Sequence, residues 1–476
     1  MVPLAALLLA TACAAGAADN PAAAIAAAAG HPASLHLLAA ASDTSDGESE
    51  TKTLELAGVK RLDRICVADL CRGTWFDGTH FAAFGINGTP WPDEGLDERA
   101  ERTFAAIAST AFAEPAFIAA GGTVDALPAD GDTRLRYRVT APQGAELVAV
   151  ADAQTHRLAG VEFPDRRLYR PLRATVWGTT IVYTTQAYDR ITALDAPLVP
   201  PAGPRVTVSE AEVPVLSSDL PIVGCTLRGR RARCLIDTGT TPSAVTLNFA
   251  EQLGEEPRGQ IEIAGLHPYL TGVIDAGPLA LAGAVFDRLH LAVIPRTSAA
   301  NFDVIVGSDA LGGLRLAFDA AARRVQIAPS APATAGRPIP LTFADGLPYA
   351  TMRLGTRATR DSMLVDTGDS ETLSIGYDAY REDMGLFAVR STASASGLGG
   401  APMDALQGEL AHAEIGGKSL EGLAISAVRG QHVGHIGYGF AAHCGRLIVD
   451  LGQGRIECTA APAAAGQNTA AGDHGR

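Results

Sequence analysis

Two short stretches hold the residues best suited to chemistry, and both follow one plan. Arg233-Cys234-Leu235-Ile236-Asp237-Thr238-Gly239-Thr240 and Ser362-Met363-Leu364-Val365-Asp366-Thr367-Gly368-Asp369 each drive an apolar run of strand character into Asp-Thr-Gly. Each plan sets a carboxylate, Asp237 or Asp366, at the tip of a buried strand. An ionised carboxylate at the edge of a core is costly, so the following Thr and Gly are expected to supply hydroxyl and backbone N–H partners. Brought face to face, the two tips make a carboxylate pair. Such a pair cannot ionise fully; it shares one proton and titrates as a unit. The ionised member can take a proton from a water molecule while the protonated member hydrogen-bonds an oxyanion developing on a substrate. No cofactor and no metal is required by this chemistry.

The rest of the chain must position these tips. Asp237 and Asp366 are 129 residues apart and Gly307 and Gly437 are 130 apart, so two halves hold register across a whole domain length. That is an internal duplication. The sequence predicts a strand-rich first lobe over 205–330 and a second over 338–460, joined by a connector at Pro329-Ser330-Ala331-Pro332-Ala333-Thr334-Ala335-Gly336. Upstream, Leu198-Val199-Pro200-Pro201-Ala202-Gly203-Pro204 is a stiff, turn-rich boundary. Residues 51–200 read as an α+β domain. Leu96 to Phe112 has helical spacing of apolar residues, whereas Arg134 to Val139 and Glu146 to Val150 read as strands of an antiparallel meander that Thr175 to Tyr183 continues. This domain is faintly similar to the half-barrel of periplasmic lipoprotein carriers, which implies a lipid- or lipoprotein-binding alternative for the protein. Residues 19–50 read as a disordered linker and 461–476 as a disordered tail.

Composition bounds the partners. At 476 residues the chain has room for two or three cores, and a formal charge of −14 argues against nucleic acid or an anionic membrane surface. Met1 to Ala18 reads as a signal peptide with an apolar run at Leu4 to Ala10, although the basic residues usual ahead of such a run are missing. Cys13 after Ala10-Thr11-Ala12 leaves a lipid anchor open, with Ala where Leu is usual three positions earlier. Both point to export, to a periplasm or beyond. The remaining cysteines fall into three local pairs, Cys66 with Cys71, Cys225 with Cys234 and Cys444 with Cys458, as expected of disulfides in an oxidising compartment. A turn at Gly229-Arg230 would put Cys225 directly opposite Cys234.

Asp-Thr-Gly after apolar residues, followed about 70 residues later by an apolar-apolar-Gly element, resembles the aspartic peptidases of the pepsin and retropepsin type. The closing element is Val304-Ile305-Val306-Gly307-Ser308-Asp309-Ala310-Leu311 in lobe one, and a degraded copy, His435-Ile436-Gly437-Tyr438-Gly439-Phe440, in lobe two. The resemblance implies a mainly β fold of two pseudo-symmetric retropepsin-like β-barrel lobes forming a pepsin-like unit behind the α+β domain. It implies an endopeptidase with catalytic Asp237 and Asp366, a polypeptide substrate and a monomer that is complete because one chain carries both halves. Thr238 and Thr367 would tie the loops together, Gly239 and Gly368 would let amides approach the carboxylates, and Thr240 would bond the outer oxygen of Asp237. Lobe two departs from the pattern. Asp369 stands where a hydroxyl is expected; ionised, it would raise the proton affinity of the pair and move activity towards neutral pH. Alternatively it points to solvent and Ser370 supplies the hydroxyl, or lobe two has drifted and the protein binds peptides in the same cleft without cutting them. Flaps over the cleft are expected at Tyr269 and at the glycine-rich tip that includes Gly399. His435, at a normally apolar position, reads as a tolerated core residue.

Overall fold

The computed structural model describes residues 35–38, 42–43, 49–58, 60–77, 80–92, 118–119, 121–128, 133–140, 146–163, 168–177, 180–184, 187–194, 196–263, 269–295, 301–332, 338–356, 361–395 and 402–459. The fold is mainly β, and the chain divides into one unit through Ala202 and another from Gly203. The signal segment with Cys13, the helix expected over Leu96 to Phe112, Gly399 and the tail lie outside the described residues. Among the described residues, no helix is long and apolar enough to cross a membrane.

The first unit is built from antiparallel strands. One sheet runs in the order Arg190–Ala193, Leu35–Leu38, Ser49–Ala57, Lys60–Val67, Leu70–Phe76, Phe81–Phe84 and Pro90–Pro92. The 19–50 segment is therefore not all linker. Leu35–Leu38 sits between two partners, and alternation turns Leu37 onto Leu54, Leu56 and Val182 in a buried cluster. A strand of four residues in Ala-rich sequence gains its place from that packing rather than from local propensity. A second sheet orders Leu168–Pro171, Leu158–Phe163, Glu146–Asp152, Arg134–Thr140 and Thr123–Leu127 around Val139, Leu147, Val161 and Phe163.

In the second unit the duplication is visible strand by strand. Lobe one lays Ile222–Leu227 against Arg230–Ile236, which runs parallel to Val304–Val306; Ala244–Thr246, Leu289–Ile294, Tyr269–Ala276 and Arg258–Ile263 follow in spatial order. Lobe two repeats this with Leu347–Leu354, Asp361–Asp366, Gly434–Gly437, Leu373–Gly376, Lys418–Val428, Met403–Ile415 and Ala388–Ala395. An added pairing of Leu347–Leu354 with Met403–Ile415 closes lobe two on itself. In lobe one the Asp-bearing strand is apolar over its last three residues, Cys234 to Ile236, and its closing strand throughout, because both are buried there: Leu235, Ile236, Val304, Ile305 and Val306 are within a few per cent of full burial.

The lobes share a sheet. Ala211–Pro214, Arg324–Pro329 and Leu314–Asp319 come from the first half and Leu447–Asp450, Arg455–Cys458 and Ile339–Ala344 from the second, joined where Leu316 pairs antiparallel with Val449. Phe318 and Tyr438 meet edge to face across this seam at 5.8 Å.

Three disulfides join Cys66 to Cys71, Cys225 to Cys234 and Cys444 to Cys458. The turn of the second hairpin lies one residue earlier than expected, which moves each cross-strand partner by two. The hairpin turns at Arg228-Gly229, both with positive φ, so Leu227 pairs with Arg230 and Cys225 faces Ala232. A type I′ turn needs left-handed backbone at both central residues and favours Gly second, which selects Arg228-Gly229 over Gly229-Arg230. Cys225 and Cys234 then bridge diagonally rather than directly.

Candidate active site

Each Asp-Thr-Gly lies just where its strand leaves the sheet, held by its closing strand. The Asp237 N–H donates to the Val306 carbonyl at 3.0 Å. The two loops lock into one another through their threonines. Thr238 Oγ1 donates to the Val365 carbonyl at 2.5 Å and accepts from the Thr367 N–H at 3.2 Å; Thr367 Oγ1 donates to the Ile236 carbonyl at 2.8 Å and accepts from the Thr238 N–H at 3.1 Å. Both threonines are buried, so every one of these polar groups needs the partner lobe.

The glycines set the spacing of the carboxylates. A Cβ on Gly239 would lie 2.3 Å from Asp366 Cγ, and a Cβ on Gly368 would lie 2.3 Å from Asp237 Oδ2. Each carboxylate thus rests on the bare backbone of the opposite lobe, within hydrogen-bonding reach of the other. The Gly239 N–H donates to Asp237 Oδ1 and the Gly368 N–H to Asp366 Oδ1, both at 2.9 Å. Burial first, and then the Asp366 charge, push Asp237 well above the usual carboxylate range. Burial and the Asp369 charge push Asp366 up to about 7. A pair so placed keeps a proton well above the pH at which a solvated carboxylate has lost it.

The outer oxygens are treated differently in the two lobes. Thr240 Oγ1 donates to Asp237 Oδ2 at 2.6 Å, as the sequence predicts. The backbone at Asp369 is equivalent, since the Ser308 N–H donates to the Thr240 carbonyl at 2.9 Å and the Tyr438 N–H to the Asp369 carbonyl at 2.7 Å. The Asp369 side chain turns inward rather than to solvent. Its carboxylate accepts from the Glu371 N–H and Ser374 Oγ, each at 2.9 Å, and lies 3.2 Å from His435 Nδ1. Burial works to raise Asp369, but the hydrogen bond and charge of His435, with the Glu371 N–H and Ser374, hold it below the usual range. Ser370 is exposed and does not take the hydroxyl's role.

His435 corrects a sequence expectation. It occupies the position of Ile305 in the closing strand, where the sequence predicts a core residue; instead its Nδ1 is 3.3 Å from Asp366 Oδ2, and its side chain keeps 20% of its exposure. The signal was available in the sequence as a polar residue replacing an apolar one beside the closing glycine. A second group carries no local signal in the sequence. Asp309, buried one turn beyond Gly307, accepts from the Ser243 N–H at 2.9 Å and from Ser243 Oγ at 2.6 Å, while Ser243 Oγ accepts from the Gly307 N–H. That network fixes the closing loop of lobe one. Tyr269 begins a strand paired with Arg258–Ile263 through Ile263. Among the described residues no cluster of three or more His, Cys, Asp or Glu side chains has the geometry to hold a metal ion.

No protein-family model matches the sequence, and comparison with curated proteins finds no significant match. Among solved structures the chain is similar to an aspartic proteinase from Irpex lacteus, at 12% identity and a TM-score of 0.35, over 54% of this chain and 99% of that one. It is also similar to Basic 7S globulin from soybean, at 11% identity and a TM-score of 0.33, over 53% of this chain and 96% of that one.

Proposed function

We propose that the protein is an aspartic-type endopeptidase that uses Asp237 and Asp366 as one catalytic pair. The observation that carries this reading is the reciprocal packing of the two carboxylates on Gly239 and Gly368, held by crossed threonine hydrogen bonds. With one shared proton, the ionised carboxylate takes a proton from a water lying between the two. The resulting hydroxide attacks the amide carbonyl, and the protonated carboxyl gives its proton to the carbonyl oxygen. Collapse of the tetrahedral intermediate returns a proton to the leaving nitrogen and regenerates the singly protonated pair. No covalent intermediate forms, and the reaction needs no cofactor.

One chain supplies both carboxylates, so the working form is a monomer acting on polypeptide. Three disulfides support an exported protein. Casein cleavage by the full chain from about pH 3 to about pH 8 tests the reading. Wild type is expected to cut, Asp237→Asn and Asp366→Asn are each expected to be inactive, and a statine-containing peptide is expected to compete. Absence of cleavage at every pH by folded wild type overturns it. Saturable binding of the statine peptide without turnover would then identify a peptide-binding protein.

A further inference from the structure

In lobe one a hydroxyl holds the outer oxygen of the carboxylate; in lobe two no hydroxyl is there, yet the outer oxygen is not left to solvent. We infer that His435 is the positioning residue of lobe two. Its Nδ1–H, shared between Asp366 Oδ2 and Asp369 Oδ2, does for Asp366 what the Thr240 hydroxyl does for Asp237. The inference rests on the peptidase reading for its consequence, but on geometry alone for its content.

Three observations carry it. His435 Nδ1 hydrogen-bonds Asp369 Oδ2 at 3.2 Å and lies 3.3 Å from Asp366 Oδ2, so one N–H stands between the two carboxylates. The exchange is reciprocal: where lobe one has Thr240 with Ile305, lobe two has Asp369 with His435, at equivalent backbone positions. Asp369 is itself fixed by Ser374 Oγ and the Glu371 N–H, and Ser374 Oγ accepts from Gln431 Nε2 at 3.0 Å, so the acceptor that orients the imidazole has a supporting layer.

The charged surroundings of His435 are limited. Asp366 faces it from the neighbouring strand and Asp369 from the loop beyond, with Asp237 across the pair. Glu371 on the same loop is engaged by Ser426 Oγ at 3.0 Å. After the Lys418–Val428 strand, Arg429 lies over the Tyr377 ring, and His432 is exposed. The charged side chains that meet the imidazole are therefore carboxylates.

The test rebuilds lobe two as lobe one. His435→Ile alone removes the donor and leaves Asp369 facing Asp366; kcat is expected to fall by about 10-fold or more with a smaller change in KM. Its pH profile of kcat is expected to move relative to wild type. His435→Asn, which can place an amide N–H where Nδ1 was, is expected to recover most of kcat. The double variant His435→Ile with Asp369→Thr supplies the lobe-one pair and is expected to exceed His435→Ile in kcat. A His435→Ile enzyme with the kcat and pH profile of wild type overturns the inference. A second readout does not depend on turnover. In the 15N-labelled histidine spectrum of the full chain, the His435 Nδ1–H is expected as a hydrogen-bonded resonance that moves in both Asp366→Asn and Asp369→Asn. A His435 signal protonated only at Nε2 and indifferent to both variants overturns the inference, even in an enzyme that cleaves casein. Failure of cleavage with the Nδ1–H signal intact leaves the positioning role supported and removes the peptidase reading instead.

Discussion

Replacing Asp366 by Asn should change how the stability of the second unit depends on pH. The folded state holds this carboxyl at about 7 against an ordinary value of 3.8. Between those values the folded protein keeps a proton that the unfolded chain has released, so stability is greatest below the lower value and falls as pH rises towards the upper one. The interval of about 3 pH units corresponds to about 4 kcal/mol, counted once because the pair shares its proton. Asp237 stays buried in the variant, so some decline persists, and Asn should reduce it by on the order of 2–4 kcal/mol. Asp369 is depressed rather than raised; its contribution is present above the ordinary carboxylate value and lost only below it, outside this window. Urea unfolding across the window measures the effect. All three tryptophans, Trp75, Trp91 and Trp177, belong to the first unit, so their fluorescence is an internal control, while circular dichroism follows both units. Equal slopes of stability against pH for wild type and Asp366→Asn would refute the reasoning, because they would mean that this carboxyl is not held protonated by its burial.

Gly368→Ala puts a methyl 2.3 Å from Asp237 Oδ2 and should separate the pair; cleavage is expected to drop by about 100-fold or more with the circular dichroism spectrum retained. Thr238→Ala removes the hydroxyl that bonds the Val365 carbonyl and strands the Thr367 N–H; a loss of about 1–3 kcal/mol is expected from the urea midpoint, together with reduced kcat. Asp309→Asn weakens the charge-assisted bonds to Ser243 behind the closing loop of lobe one. It is expected to cost about 1–3 kcal/mol in thermal unfolding, with a smaller effect on kcat/KM than Thr238→Ala.

The two Asp-Thr-Gly loops were legible because their information is local. Asp-Thr-Gly at the end of an apolar strand states the buried carboxylate, its hydroxyl and its bare amide within four residues, and repetition at one spacing states the partner. What escaped depended on contacts distant in sequence. Asp369 could be recognised as a departure, but its direction is decided by Ser374 and His435, the latter 66 residues away. His435 sits in a strand whose other members are apolar, so periodicity alone assigns it to the core. Asp309 shows no role in the closing element by itself, because its partner Ser243 precedes it by 66 residues. The Cys225 hairpin shows a finer limit: the cysteine pairing was legible, but the register was set by which two residues accept positive φ. Leu35–Leu38 is too short, and its neighbourhood too rich in Ala, to announce a strand whose partners lie at Leu54 and Ile191.

The seam between Leu314–Asp319 and Leu447–Asp450 has a consequence for synthesis. A chain made from its N-terminus completes the first of these strands about 130 residues before the second exists, and through that interval it carries an open, apolar sheet edge. Leu316 and Phe318, fully buried in the finished protein, flank that edge. The shared sheet takes three strands from each half, so the surface that waits is shaped to receive a close copy of itself. A polypeptide ended after residue 332 would keep the edge, and two such polypeptides have the pairing surface to associate through it. Seen this way, the tether between the lobes is a device that makes a second-order encounter first-order. It supplies the partner at a fixed local concentration, ahead of any stranger that could add a strand.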